Sequence, residues 1–174
     1  LPIEKIYFFS SKRSAGTKIT FNGEEYIVEE LTEESFDRGI DIALFSAGGS
    51  ISEKYAPIAA SKGCVVVDNS SFWRMDPEVP LVVPEVNPGE ISRHKGIIAN
   101  PNCSTIQAVV ALKPLEDKYR IKRIVYSTYQ AVSGAGMAGY KDLEEGLKGK
   151  APEKFPHPIA GNCLPHIDVF LPDG

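Results

Sequence analysis

The chain has 174 residues, enough for one full domain and part of a second, and its 43% hydrophobic and 24% charged residues describe a globular protein with a core. A net charge of -4 leaves no footprint for nucleic acid as main partner. No apolar run approaches the roughly 20 residues needed to cross a bilayer, and Leu1-Pro2-Ile3-Glu4-Lys5 lacks the order of a secretory signal, so a cytoplasmic protein without a membrane partner is expected.

Ile3 to Ser10 predicts a buried strand, ended by the polar turn Ser11-Lys12-Arg13-Ser14-Ala15-Gly16. Lys18 to Phe21 and Glu24 to Val28 flank Asn22-Gly23, a pair that accepts φ > 0, so a hairpin with a type I′ turn is expected. Thr32 to Phe36 predicts a short helix capped by Thr32, and Asp41 to Ser46 a strand closed by Ala47-Gly48-Gly49. Ile51, Tyr55, Ile58 and Ala59 follow helical spacing up to Lys62-Gly63, which supplies a cation and a terminating glycine. Cys64 to Asp68 is a β-branched run suited to a strand covered on both faces. Leu81 to Pro84 and Gly96 to Ala99 predict two more short strands around the turn-rich Asn87-Pro88-Gly89. Cys103 to Tyr119 predicts the longest helix, which Pro114 should kink or end early. Ile121 to Tyr129 alternates as a strand, Met137 to Leu147 is a second helix, and the segment through Pro152, Pro156 and Pro158 is irregular. Strand, helix and strand in alternation make an α/β protein. The chain begins inside a strand without Met and stops at the turn Pro172-Asp173-Gly174, so an incomplete protein is expected.

Three cysteines without C-x-x-C spacing suggest neither a disulfide framework nor a metal site. Cys64, opening a buried strand, and Cys163, among Asn162, Leu164 and Pro165, favour a packing role. Cys103 is different. In Asn100-Pro101-Asn102-Cys103-Ser104-Thr105 a strand ends, proline breaks it, and a helix starts at the cysteine. The N–H groups and dipole of a first helical turn favour thiolate over thiol and can hold an oxyanion; the alternative is a small residue packed in a turn.

Gly134-Ala135-Gly136-Met137-Ala138-Gly139 matches G-x-G-x-x-G after a predicted strand. A dinucleotide fingerprint also needs a following strand with an acidic residue about 20 positions on, and a Pro-rich stretch follows here. A glycine loop near a substrate, with Gln130 and Ser133 beside it, is the better reading. Ser11-Lys12-Arg13-Ser14 sets two cations and two hydroxyls at a strand's carboxyl end, where α/β sheets bind ligands and where arginine accommodates the 2′-phosphate of NADP. A solvated basic turn is the alternative. Arg74, beside Phe72 and Trp73, is either a bidentate clamp for phosphate or carboxylate or a surface ion pair. His94, His157 and His166 have no partner at ligand spacing.

Taken in order, FFSSKRSAG, LFSAGG, NPNCSTIQ and TYQAVSGAG resemble the bacterial aspartate-semialdehyde dehydrogenases over almost the whole chain. The resemblance implies a Rossmann-type NADP-binding domain joined to an α+β catalytic and dimerisation domain. Residues 1–102 would be a partial dinucleotide-binding domain without its first strand and glycine-rich turn, and 103–174 the start of the second. It implies reductive dephosphorylation of L-aspartyl 4-phosphate to the 4-semialdehyde, feeding lysine, threonine, methionine and diaminopimelate synthesis, in a homodimer or homotetramer. By resemblance Cys103 forms the acyl-thioester, Gln130 orients the substrate, Arg74 binds the phosphate, and Asn102 lines the same site. Ser11, Arg13 and Ser14 would contact the 2′-phosphate, Ser46 the cofactor cleft, and Ser133 and Gly134 the nicotinamide side. The family's acid/base histidine is expected after Gly174, so this chain alone is expected to be inactive. N-acetyl-glutamyl-phosphate reductase, with the same thioester logic, and a non-catalytic paralogue acting through its interface are the competing readings.

Overall fold

The computed structural model describes residues 2–165. Two compact units divide the chain, the first ending at Ile121 and the second beginning at Lys122.

The first unit is built on three parallel strands in the order β5 (Ile42–Phe45), β6 (Val65–Asp68) and β7 (Ile97–Ala99). Parallel neighbours need a crossover, and α1 (Gly49–Ser61) supplies the one between β5 and β6. Gly48, at φ 93, turns the chain into that helix, and Gly63, at φ 87, turns it out. Small residues on the helix, Ala56 and Ala59, bury against Phe36, Phe45, Cys64, Val66 and Ile97 to form the core. β6, the central strand, has Val66 and Asp68 fully buried and Val65 and Val67 half-buried, in keeping with a strand covered on both faces. Phe36 joins this sheet to a smaller one, its ring lying 6.2 Å from Phe9 and 6.1 Å from Phe45.

The smaller sheet pairs β1 (Phe9–Ser10) with β4 (Glu29–Glu30) in parallel, and between them β2 (Lys18–Phe21) and β3 (Glu24–Ile27) form the expected hairpin. Asn22 and Gly23 sit at φ 51 and 84, the left-handed pair that the Asn-Gly turn requires. The strand expected over Ile3 to Ser10 is reduced to two residues, because β4 offers only two residues to pair with. Glu33–Phe36 is a single 3-10 turn; the Ser35 hydroxyl accepts from the Thr32 N–H at 2.9 Å.

Three further expectations are corrected. Leu81 to Pro84 forms no strand beyond one bridge between Leu81 and Ala99. The Asn87 side chain explains this: its Oδ1 accepts from the Val83 N–H at 2.8 Å and its Nδ2 donates to the Leu81 carbonyl at 3.0 Å, taking groups a ladder would use. Pro114 does not end α2 (Cys103–Tyr119), which runs five residues past it with the Lys113–Asp117 ion pair at 2.5 Å spanning the proline. Residues 121–129 form no strand: none is paired among the described residues, and Val125 and Tyr129 are 73% and 90% exposed. An alternating pattern makes a strand only where a neighbour accepts its hydrogen bonds.

In the second unit, a 3-10 turn (Val132–Ala135) leads into α3 (Gly136–Leu147), and the following Pro-rich stretch is irregular, as its composition predicts. It is not loose. Buried Asp142 of α3 accepts backbone N–H groups from Glu153, Lys154 and Phe155 at 3.0, 2.8 and 2.8 Å. The bond from Phe155, then those from Glu153 and Lys154, hold its carboxyl below the usual aspartate value.

Candidate active site

In the three-stranded sheet the residues that bear on the site fall at the carboxyl ends of the strands. Ser46 follows β5, Asn69 follows β6, and Asn100 follows β7, with Asp68 and Ala99 in register. The Asn100 N–H donates to the Asp68 carbonyl at 2.8 Å, and its Nδ2 to Asn69 Oδ1 at 2.7 Å, so the two strand ends are stitched together just before the chain turns. Pro101, buried, makes that turn, and Asn102 caps α2.

Cys103 is thereby the first residue of α2, with its side chain exposed. The first-turn donors expected to serve an oxyanion are largely spent. Asn102 Oδ1 accepts from the Ser104 and Thr105 N–H groups at 3.0 and 3.2 Å, and the Ile106 N–H goes to the Asn102 carbonyl. Asn102 thus acts on the cysteine's surroundings through the helix cap. Cys64 is buried, as expected, and burial with the nearby Asp41 pushes its thiol up. Cys163 is exposed, against the packing role expected of it.

Arg74 lies in the 3-10 turn Phe72–Met75 and forms no surface ion pair among the described residues. Its Nε donates to the Asn100 carbonyl at 2.9 Å and an Nη to the Asn69 carbonyl at 3.3 Å. The adjacent Trp73 anchors the turn, its indole N–H reaching the buried Ser52 hydroxyl of α1 at 3.0 Å. Arg74 also borders an open groove of about 580 Å³ whose other cations are matched, Arg93 by Glu90 and Lys95 by Glu78. Of the three cations in that groove Arg74 alone is in no ion pair among the described residues; its partners are neutral carbonyls, and the carboxylate of Asp76, also in no ion pair among them, lines the same groove.

Ser11, Lys12 and Arg13 are exposed in the turn after β1, which closes on the Ser11 carbonyl through the Ser14 and Ala15 N–H groups at 2.9 and 3.1 Å. No carboxylate pairs with Arg13 among the described residues. The turn offers groups that suit a phosphorylated ribose: a guanidinium in no ion pair among the described residues, two hydroxyls, and no acid within residues 11–16. Ser46, exposed, leads into Gly48 and Gly49, where the chain enters α1 without a side-chain cap.

Gln130, Ser133 and Gly134 are exposed and belong to the second unit. The G-x-G-x-x-G stretch follows no strand and opens α3, so the false fingerprint is explained by local needs. Gly136 turns at φ 67, and Gly139 is buried where a Cβ would stand 2.5 Å from the Val132 carbonyl oxygen. His94 Nδ1 accepts from the Gly96 N–H at 3.1 Å, a local structural role; His157 is exposed, and His166 lies outside the described residues. Among the described residues no group of three or more acidic, histidine or cysteine side chains is arranged to hold a metal ion.

Asn69 and Asn100 escape the sequence reading. Their signal is present: CVVVDN and GIIAN each place an asparagine one residue after a β-branched run, which in a parallel pair puts them side by side.

Two family models match the chain, "Semialdehyde dehydrogenase, NAD binding domain" over residues 1–94 and "Semialdehyde dehydrogenase, dimerisation domain" over residues 112–174. The chain is 58% identical over 182 aligned positions to an aspartate-semialdehyde dehydrogenase of Aquifex aeolicus, covering 99% of this chain and 54% of that protein. Its identity to the Bacillus subtilis protein of the same name is 49%, again over 99% of this chain and 53% of the relative. Among solved structures it is similar to aspartate semialdehyde dehydrogenase II from Vibrio cholerae, described as complexed with ASA, at a TM-score of 0.91 and 48% identity over 99% of this chain and 54% of that one. A more distant likeness, at 28% identity and a TM-score of 0.57 over 67% of this chain and 40% of the other, is to the enzyme from Candida albicans, described as with NADP. The chain spans about half the length of the relatives it matches. With two matching domains in chain order, a Rossmann-type α/β fold, and relatives that agree in name over nearly every residue, the chain belongs to the aspartate-semialdehyde dehydrogenase family.

Proposed function

We propose that the protein carrying this chain converts L-aspartyl 4-phosphate to L-aspartate 4-semialdehyde, with NADP as its cofactor and Cys103 as nucleophile. The observation that carries this is the tie between Arg74 and the carbonyl of Asn100, three residues before Cys103, which keeps a cation that is in no ion pair among the described residues next to the turn that presents the sulfur. The sulfur of Cys103, exposed at the first position of α2, adds as thiolate to the acyl carbon; the bond from carbon to the phosphate oxygen breaks, and phosphate departs with that electron pair. Arg74 receives the leaving phosphate, and the acyl group remains on Cys103 as a thioester. NADPH, when bound, supplies a hydride to the acyl carbon. Collapse of the resulting adduct releases the aldehyde and returns the electron pair of the carbon–sulfur bond to Cys103.

In this reading Gln130 orients the substrate and Asn102 lines the site while capping α2. Ser11, Arg13 and Ser14 hold the 2′-phosphate, Ser46 belongs to the cofactor cleft, and Ser133 and Gly134 stand on the nicotinamide side. The dinucleotide-binding part runs to residue 102 and the catalytic and dimerisation part begins at 103. The protein works in the cytoplasm as a homodimer or homotetramer, which agrees with the matched dimerisation domain. Among the described residues no helix is long and apolar enough to cross a membrane.

The test is an assay of the full-length protein in the oxidising direction, with aspartate semialdehyde or N-acetyl-glutamate semialdehyde, phosphate and NADP. Turnover of the aspartyl aldehyde, abolished in Cys103→Ser with the fold intact, supports the reading; turnover of the acetylated compound alone overturns it. Arg13→Ala is expected to raise the KM for NADP about tenfold or more, the worth of a charge-assisted hydrogen bond, and to leave that for NAD nearly unchanged. Equal effects on both nucleotides would refute the cofactor assignment.

A further inference from the structure

We infer that Asn69 is a positioning residue that sets Arg74 and the Cys103 turn in one frame. Three observations converge on it. Its side-chain Oδ1 accepts from Asn100 Nδ2 at 2.7 Å. Its main-chain carbonyl accepts from an Arg74 Nη at 3.3 Å. The second partner of the same guanidinium is the Asn100 carbonyl, at 2.9 Å from Nε. Asn69, Arg74 and Asn100 therefore close a ring of hydrogen bonds, and the ring is anchored to the sheet because the Asn100 N–H donates to the Asp68 carbonyl at 2.8 Å.

The consequence follows from the geometry of the guanidinium. A planar fork held at two carbonyls has its plane fixed by the spacing of those carbonyls. The amide bridge between the side chains of Asn69 and Asn100 sets that spacing. Remove the bridge, and the strand ends stay tied by the Asn100 N–H to the Asp68 carbonyl but lose the side-chain contact that fixes the spacing of the two carbonyls beyond it, which shifts Arg74 relative to the turn into α2. Small displacements of this kind cost disproportionately where two groups must meet one substrate.

For its effect on turnover the inference rests on the proposed acyl-phosphate chemistry, so the experiment reads a property that needs no substrate as well. In the full-length protein, Asn69→Ala, Asn100→Ala and the double variant are compared by two measurements. One is the rate at which iodoacetamide modifies Cys103 in phosphate-free buffer, followed by peptide mass spectrometry; the other is the KM for phosphate against kcat in the oxidising direction. Each single variant is expected to slow Cys103 modification about three- to tenfold, the worth of one hydrogen bond, and to raise the KM for phosphate by a similar factor. Because the two side chains act as one bridge, the double variant is expected to be no worse than the worse single one. Unchanged alkylation in Asn69→Ala, or losses that multiply in the double variant, would overturn the inference. Asn69→Ser, which keeps a polar side chain too short to reach Asn100, replaces the alanine variant if that one fails to fold, with the same outcomes deciding. A protein that turns over neither aldehyde but shows the non-additive alkylation pattern would remove the acyl-phosphate reading and leave the role of Asn69 standing.

Discussion

Cys103, Cys64 and Cys163 carry the same thiol in three surroundings, and their chemistry should diverge accordingly. Cys64 is 1% exposed, and burial raises the cost of ionising it. Cys163 is exposed in an irregular segment, its N–H bonded to Asn162 Oδ1 at 2.9 Å, and it starts no helix among the described residues. Cys103 combines exposure with the first position of a 17-residue helix and with the Arg74 cation tied to the preceding turn. At neutral pH iodoacetamide should therefore modify Cys103 first, Cys163 next and Cys64 last, with Cys103 about tenfold or more ahead of Cys64. Peptide mass spectrometry over a time course reads the order directly. Equal rates at Cys103 and Cys163 would show that exposure alone decides, and would strip the helix terminus of its role.

The second unit shows how one buried carboxylate can organise a segment with no regular structure. Asp142 takes the N–H groups of three consecutive residues, 153–155, which a Pro-rich stretch cannot satisfy within itself. Its carboxyl lies below the usual value of 3.8 in the folded protein, so the clamp contributes stability above pH 3.8 and loses it as pH falls through the lower folded value. Protection of the Glu153, Lys154 and Phe155 amides, taken against their intrinsic exchange rates, should hold at pH 5 and 7 and be lost in the wild-type protein as pH falls through the folded value of Asp142, below 3.8. In Asp142→Ala the same amides should show little protection at any pH. Protection that survives the substitution would assign these amides to other acceptors. Elements set by local chemistry, such as the Asn22-Gly23 hairpin, the start of α2 and the entry to α3, were legible from residue order alone. Those that depend on a partner were not. Residues 121–129 have the alternation of a strand and none of its pairing, and Val83 loses its ladder to an asparagine four residues away. Of the site, Cys103 at a helix start and a basic turn after β1 could be read from spacing, whereas the Asn69–Asn100 bridge required the register of β6 and β7.

Across the whole first unit, parallel strands give the sheet two chemically distinct ends. Ser46, Asn69, Arg74 and Cys103 gather where β5, β6 and β7 finish, the end at which open α/β sheets bind ligands. His94 sits where β7 begins, with the strand Ile97–Ala99 separating it from the Asn100 turn. At about 3.3 Å per residue, that strand alone puts roughly 10 Å between the two, well beyond the reach of a proton transfer. The imidazole is also engaged, Nδ1 accepting from the Gly96 N–H, where Gly96 passes so close to α1 that a Cβ would stand 2.6 Å from Ala60 Cβ. His94 is therefore a turn residue, and the acid/base work of the proposed reaction falls to another group. His94→Gln, which retains a hydrogen-bonding side chain, should leave kcat in the full-length protein within about twofold of wild type across pH 6 to 9, with any loss appearing as lowered thermal stability. A kcat that falls a hundredfold, or a pH profile that loses its acidic limb, would place His94 in the chemistry and reverse the assignment of the working end of the sheet.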